Sequence, residues 1–498
     1  MTDDKTILRG ARVLDPLMSE PAALDILVQG DTIVDLLAPG EAVSENARVV
    51  DLSGHLVHPG LVNAHTHAHG SMSKGMGDRW TLELLLTAAP WVGGNRTEED
   101  KFLTAQLGAA EMLMKGCTAA YDMFFEFPVP SVDGMTAVGR AYDETGMRAV
   151  VAPMIADRTF FQAIPGLIDA MPEDGREAVR AMTMAPAETT LANVARVLEN
   201  WAFDRDRIRP ALAPTIPHHC TDDFLTGTLT LARDHDVAIQ THLLESKVQA
   251  LTGMKVYGHT LARHMAEMGF FDGRFTAAHG VWLDPEDMAL LGDHGCSVSH
   301  NPGSNLRLGS GIADTRRMLD LGVNLGIGTD GANCSDNLNM YEAMRMAALV
   351  SRVCHLDPGR WISTAEAFRA ATIGSARSLG MESTIGRIAP GYKADLVALS
   401  LRHPNWMPLN NAINQLVLTE DGTAVRHVMV GGRMVVSDGV LLTVDFDALY
   451  RRLDDARERL EVACRDNEVL FYKLEKAVAS FCPGLAATPY HVDRHCIH

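Results

Sequence analysis

Four short strings carry residues that bind metals. His65 and His67 lie in HPGLVNAHTH, His242 in VAIQTH, His279 in FTAAHG and Asp330 in VNLGIGTDG. Each string ends an apolar run and precedes Gly-, Asn- or Asp-rich sequence, the pattern of a strand opening into a loop. A His-x-His pair alone is weak evidence, because strand ends often carry solvated or internally satisfied imidazoles. Four such strand ends together are stronger. Side chains two apart on a strand point the same way, so His65 and His67 can grip one ion. His69 continues that period and spacing leaves a His67 and His69 pairing open, but Gly70 follows at once and favours the first pair. Three neutral imidazoles and a carboxylate suit one divalent transition metal, zinc first and iron second. Such an ion lowers the pKa of a water it holds to about 7 and so supplies a hydrolytic nucleophile. Glu245 follows His242 by three residues, where the strand opens. By itself it reads as a solvated loop acid; beside such a water it becomes a proton shuttle.

These residues need a frame, and the chain supplies a repeating one. Thr97 is the expected N-cap of EEDKFLTAQLGAAEMLMK, with acids in its first turn and Gly116 after its last residue. CTAAYDMF then reads as a strand. The alternation recurs through MRAVVAPMI, IRPALAPTI, VAIQTH, FTAAHGV, CSVSHNP and VNLGIGTD, each set off by an amphipathic stretch. Eight strand-like runs with intervening helices predict an α/β fold, a (β/α)8 TIM barrel over 61–384. Barrel active sites lie at the carboxyl ends of the strands, where the ligand candidates fall. Short strands and turns in 1–60 have a counterpart in 385–442, which predicts a small β-sandwich domain formed from both termini. Residues 443–498 read as a C-terminal helix and tail. The helix, from about Phe446 to Val478, is charged and amphipathic and packs on the chain's own surface or on another subunit, which leaves a homo-oligomer open. The tail PYHVDRHCIH carries three histidines and Cys496; it reads as a frayed terminus, with metal binding as the weaker alternative.

The amino terminus MTDDKTILRG has no signal-like apolar core, and no run of roughly 18 apolar residues spans a membrane, so a cytoplasmic location is expected. Eight cysteines without C-x-x-C spacing suggest neither a disulfide framework nor a thiolate zinc site. A net charge of -19 disfavours nucleic acid and anionic membranes as partners and points to a small-molecule substrate.

The strings HPGLVNAHTH, THLLES, AAHGVWL, SHNPGSNLRLGSG, LGIGTDGANCSDNLNMYEAMR and GRIAPGYKADLVAL, in this order, resemble the amidohydrolase superfamily. The resemblance is to its mononuclear branch, which includes S-adenosylhomocysteine and methylthioadenosine deaminases, guanine deaminase and the triazine hydrolases. It implies His65, His67, His242 and Asp330 as metal ligands, Glu245 as proton shuttle and His279 as the group that hydrogen-bonds the metal's water or the substrate. Binuclear relatives carry a carboxylated lysine at the end of the fourth strand; IRPALAPTI has none, so one ion is implied. Adenosine-type deaminases of the branch usually place a substrate-binding histidine after the fourth strand's Ala-Pro. Here Thr215 stands there, and His218 or His219 could take over that contact or be local structure. Trp91, Phe124 and Asn305 complete the candidate substrate contacts, the aromatics as platforms for a planar ring, with Met72, Phe125 and Phe127 at the same rim.

The expected reaction is hydrolytic deamination of a purine, pterin, pyrimidine or triazine. Hydrolysis of an amide, urea or carbamate is the alternative, since the metal chemistry is shared. Glu245 favours the ring, whose nitrogen needs a proton as the neighbouring carbon is attacked. A catalytically inactive scaffold is the third reading; it gives no reason for all four ligands and both proton-handling groups to be present.

Overall fold

The protein is described by a computed structural model covering residues 5–41 and 46–495. Five strands open the chain: β1 (Lys5–Val13), β2 (Ala22–Gln29), β3 (Thr32–Leu37), β4 (Arg48–Asp51) and β5 (His55–Pro59). Eight more follow with helices between them: β6 (Leu61–Thr66), β7 (Cys117–Phe125), β8 (Arg148–Ile155), β9 (Ile208–Pro214), β10 (Ala238–Leu243), β11 (Phe275–His279), β12 (Ser297–His300) and β13 (Asn324–Ile327). The last four are β14 (Leu396–Ser400), β15 (Val425–Val430), β16 (Arg433–Ser437) and β17 (Val440–Leu441).

Strands β6 to β13 pair in sequence order and in parallel, and most of their residues are buried on both faces, as expected where helices cover a parallel sheet. The barrel closes where β13 runs out beside β6. The Asp330 amide donates to the His65 carbonyl at 2.9 Å and the Thr329 amide to Asn63 Oδ1 at 3.0 Å. Gly328 makes this approach feasible, because a Cβ there would lie 2.8 Å from the His65 backbone nitrogen and oxygen. Closure thus sets Asp330 beside His65 and His67 of the β6 end.

The helix Glu98–Met114 forms as its sequence predicts, with Thr97 and Asp100 in a reciprocal capping box. The other strands form one nine-stranded mixed sheet drawn from both ends of the chain, in which β5 and β14 pair antiparallel at the junction. A buried ion pair ties this sheet to the barrel: Arg148 Nε at the start of β8 lies 2.7 Å from Asp395 Oδ2, which precedes β14.

The carboxyl-terminal region departs from expectation twice. The single predicted helix is two, Phe446–Ala463 and Arg465–Ala486. At the break Asn95 Nδ2 donates to the Ala463 carbonyl at 2.7 Å, so a loop of the barrel takes up a backbone acceptor there. Through residue 495 the tail is docked, not frayed. His491 Nε2 lies 2.8 Å from Asp284 Oδ2, Arg494 donates to the Leu283 carbonyl at 2.7 Å, and the Arg494 carbonyl accepts from the Ile312 amide at 2.8 Å. Cys496 and His498 lie outside the described residues. No disulfide joins any described cysteine, and among the described residues no helix is long and apolar enough to cross a membrane.

Candidate metal centre and active site

The carboxyl ends of β6, β10, β11 and the turn after β13 converge. His65, His67 and His242 bring ligand atoms within 4.8 Å of one another, as do His65, His279 and Asp330. All five side chains are buried. His69 falls outside both groups: it sits in the short helical turn Ala68–Ser73, and its Nδ1 faces the Phe125 amide at 3.2 Å.

Each imidazole of the cluster turns its Nδ1 outward to an oxygen. His65 meets Gln240 Oε1 at 2.7 Å, His67 the Met123 carbonyl at 2.6 Å, His242 the Thr215 carbonyl at 2.6 Å and His279 Asn305 Oδ1 at 2.9 Å. Those oxygens accept, so Nδ1 carries the hydrogen and the Nε2 lone pairs face inward. Burial depresses the pKa of His67 and His279 to about 4 and holds that of His242 well below the ordinary imidazole value, which favours the neutral rings. His67 Nε2 and His242 Nε2 lie 3.0 Å apart, two lone pairs face to face. Asp330 Oδ1 stands 3.4 Å from His65 Nε2 and 3.3 Å from His67 Nε2, and His65 Nε2 has no hydrogen-bond partner. Neutral nitrogen donors gathered round a carboxylate fit a divalent cation, whose ligand distances of about 2.0–2.2 Å suit donor pairs at this spacing.

Backbone strain marks the same place. His279 at φ +72°, Asp330 at φ +64° and Leu244 at φ +53° occupy the left-handed region, each at a cost of about 1–3 kcal/mol.

Glu245 follows β10 with its Oε2 buried, without a partner and 3.7 Å from His279 Nε2. Burial, then the nearby charges of Asp330 and Glu83, push its pKa well above the ordinary carboxyl value. Asp330 is the opposite case: burial would raise its pKa, but the surrounding His65, His67 and His279 rings hold it well below the usual range. The centre therefore sets a carboxyl pushed towards its protonated form beside one pushed towards its ionised form, the division of labour that acid–base hydrolysis needs.

A small pocket is lined by Leu82, Glu83, Phe160, His218, His219 and Gln249 among others, and Gln249 Oε1 accepts from the Glu245 amide at 3.0 Å. His218 and His219 form a short helical turn after β9 and are buried, and His218 Nδ1 has no partner. Trp91 and Phe124 are not part of this wall. Trp91 packs with tilted rings against Phe471 and Tyr472 of the carboxyl-terminal helix at ring distances of 5.5 and 5.8 Å, and Phe124 is wholly buried in the core with its ring 5.7 Å from His69. Asn305 stands behind His279 and is absent from the cavity lining. Thr215 serves through its carbonyl, on His242.

Sequence reasoning missed Glu83 and Gln240. Glu83 Oε1 accepts from the Ser246 hydroxyl at 2.9 Å, and nothing local in WTLELLL sets it apart from a surface acid. Gln240 was within reach: it precedes His242 by two on the same strand and so shares its face.

The amidohydrolase family matches residues 56–435. A 5-methylthioadenosine/S-adenosylhomocysteine deaminase of Desulforamulus reducens is 30% identical over 92% of this chain and 99% of its own. A 5'-deoxyadenosine deaminase of Methanothermobacter thermautotrophicus is 32% identical over 89% of this chain and 95% of its own. Among solved structures, an adenosine deaminase from Xanthomonas campestris with bound zinc superposes with a TM-score of 0.80 at 26% identity, over 92% of this chain and 99% of the other. The zinc complex of an atrazine chlorohydrolase from Arthrobacter aurescens reaches 0.79 at 24% identity, over 90% and 99%, and shares the fold. With its barrel, its convergent histidines and aspartate and these relatives, the chain belongs to the amidohydrolase family and is one of its hydrolases of non-peptide C–N bonds.

Proposed function

We propose that the protein deaminates an amino-substituted nitrogen heterocycle, with adenine nucleosides the first class to assay because two curated relatives are deaminases named for such nucleosides. The observation that carries this reading is Glu245, a buried carboxyl whose Oε2 has no hydrogen-bond partner and whose pKa burial pushes well above the ordinary value, towards the protonated form. A ring nitrogen must gain a proton as the adjacent carbon is attacked, and an acid placed here can give it.

We assign the ion to His65, His67, His242 and Asp330, with zinc the proposed metal; it would supply a water of lowered pKa as the hydrolytic nucleophile. Asp330 Oδ2 and His279 Nε2, 3.7 Å apart, are the acceptors available for the proton that water loses. Glu245 protonates the ring nitrogen, and the exocyclic amine leaves as ammonia or an alkylamine. His218 and His219 contact the ring, and Glu83 accepts from hydroxyl or amine donors on its substituents.

The test is ammonia release by metal-reconstituted enzyme from a panel of aminopurines, adenine nucleosides, pterins, pyrimidines and triazines. Turnover of at least one supports the reading. Hydrolysis of amides, ureas or carbamates with no ammonia from any ring substrate would replace it with the amide-hydrolase reading.

A further inference from the structure

His279 differs from the other three histidines in what holds its outer nitrogen. His67 and His242 are held by main-chain carbonyls, and His65 by Gln240, whose own Nε2 is pinned on the Ala64 carbonyl at 3.0 Å. Asn305 holds His279 through Oδ1, while its Nδ2 is buried without a partner. The backbone beneath it is fixed: the Asn305 amide donates to the Asn301 carbonyl at 3.0 Å and the Asn305 carbonyl accepts from the Ser310 amide at 2.8 Å. With Oδ1 turned to the ring, this one carboxamide sets which nitrogen of His279 carries hydrogen. An oxygen facing Nδ1 requires Nδ1–H and leaves Nε2 bare; an NH2 group there would force the opposite tautomer.

We propose that Asn305 is a positioning residue that locks His279 in its Nδ1–H tautomer, so that Nε2 is a proton acceptor facing the space between Glu245 and Asp330. Resting on the deaminase reading, this gives the reaction a defined proton path. The attacking water loses a proton to His279 Nε2 as its oxygen bonds to the ring carbon, while the Glu245 proton passes to the adjacent ring nitrogen. The proton on His279 then goes to the exocyclic nitrogen, the C–N bond breaks and ammonia leaves. The new hydroxyl gives its proton to Glu245 as the carbonyl forms, which restores both side chains. With hydrogen already on Nε2, His279 could not accept the first proton.

The tautomer is read without substrate or metal, from two-bond 1H–15N correlations of metal-free protein labelled with 15N-histidine, the His279 signals being identified by their loss in His279→Gln. Wild type and Asn305→Asp, which also accepts from Nδ1–H, are expected to show Nδ1–H; Asn305→Leu is expected to show Nε2–H or a mixture. In the reconstituted enzyme Asn305→Leu should lose about 10- to 100-fold in kcat with KM and metal content unchanged, and Asn305→Asp should retain more activity than Asn305→Leu. An Nε2–H tautomer in wild type, retention of Nδ1–H in Asn305→Leu, or equal losses in both variants would overturn the proposal. If Asn305→Leu fails to fold, the wild-type and Asn305→Asp spectra decide. If no ring substrate is turned over, the deaminase reading fails while the spectra still decide the tautomer.

Discussion

His67 Nε2 and His242 Nε2 face each other at 3.0 Å with no hydrogen available to either, because each ring has committed its Nδ1–H to a main-chain carbonyl behind it. Two lone pairs at that distance repel unless a cation lies between them. The preference for metal is thus built in by the outer hydrogen bonds as much as by the ligands. The protein is expected to hold about one divalent ion per chain, and His242→Ala to lose both the ion and turnover. Elemental analysis checks this; two tightly bound ions, or unchanged metal in the variant, would contradict the ligand set.

Glu245→Gln keeps the shape of the side chain but has no acidic proton. Metal content and substrate affinity should persist while kcat falls by about 10²- to 10⁴-fold. Steady-state kinetics with a ring substrate, beside elemental analysis, make the comparison. A loss of less than tenfold would remove Glu245 from the proton path.

Arg148 and Asp395 join the barrel to the nine-stranded sheet, and Asp395 Oδ1 also accepts from the Gly431 amide at 2.7 Å. Asp395→Ala would leave a buried guanidinium unpaired, at a cost of about 3–5 kcal/mol. Denaturant unfolding of the variant measures it, and a change under 1 kcal/mol would show that the pair adds little to stability.

His58 lies far from solvent, its Nδ1–H donating to the Pro59 carbonyl at 2.7 Å and its Nε2 accepting from the Tyr341 hydroxyl at 2.8 Å. Burial lowers its pKa from 6.5 to about 4. The unfolded chain therefore takes up a proton that the folded chain refuses. Stability from this residue is fully present above pH 6.5 and is lost as pH falls towards 4, by roughly 3 kcal/mol in all. Unfolding free energies at pH 7 and pH 5 should differ less in His58→Asn than in wild type. An equal slope in both would assign the acid sensitivity elsewhere.

The docked tail contacts the loop that follows β11, at Leu283 and Asp284, and the segment after the helix Pro302–Arg307, at Ile312. Ending the chain at Thr488 removes Arg494 and with it the acceptor for the Ile312 amide. Hydrogen exchange across 309–314 should then accelerate about fivefold or more, the equivalent of one net hydrogen bond of roughly 1 kcal/mol. Exchange unchanged in that segment would mean that the tail holds nothing in place.

The sequence by itself determined the eight strands and the residue types at their ends, because alternation with period two and helical repeats are local properties. His65, His67, His242 and Asp330 were legible as strand-end residues on that basis, as was the cap at Thr97, whereas Glu245 by itself read as a solvated loop acid. Tertiary structure alone decided what stands behind each imidazole. The oxygens on His65, His67, His242 and His279 come from Gln240, Met123, Thr215 and Asn305, none of them on the same strand as the ring it holds, and barrel closure brings them together. It likewise turned Trp91 towards the carboxyl-terminal helix, placed Glu83 beside Ser246, split that helix at Cys464 and seated the tail on Asp284 and Leu283. Local periodicity says which way a side chain faces; which partner it meets depends on contacts formed only when the distant segments pack.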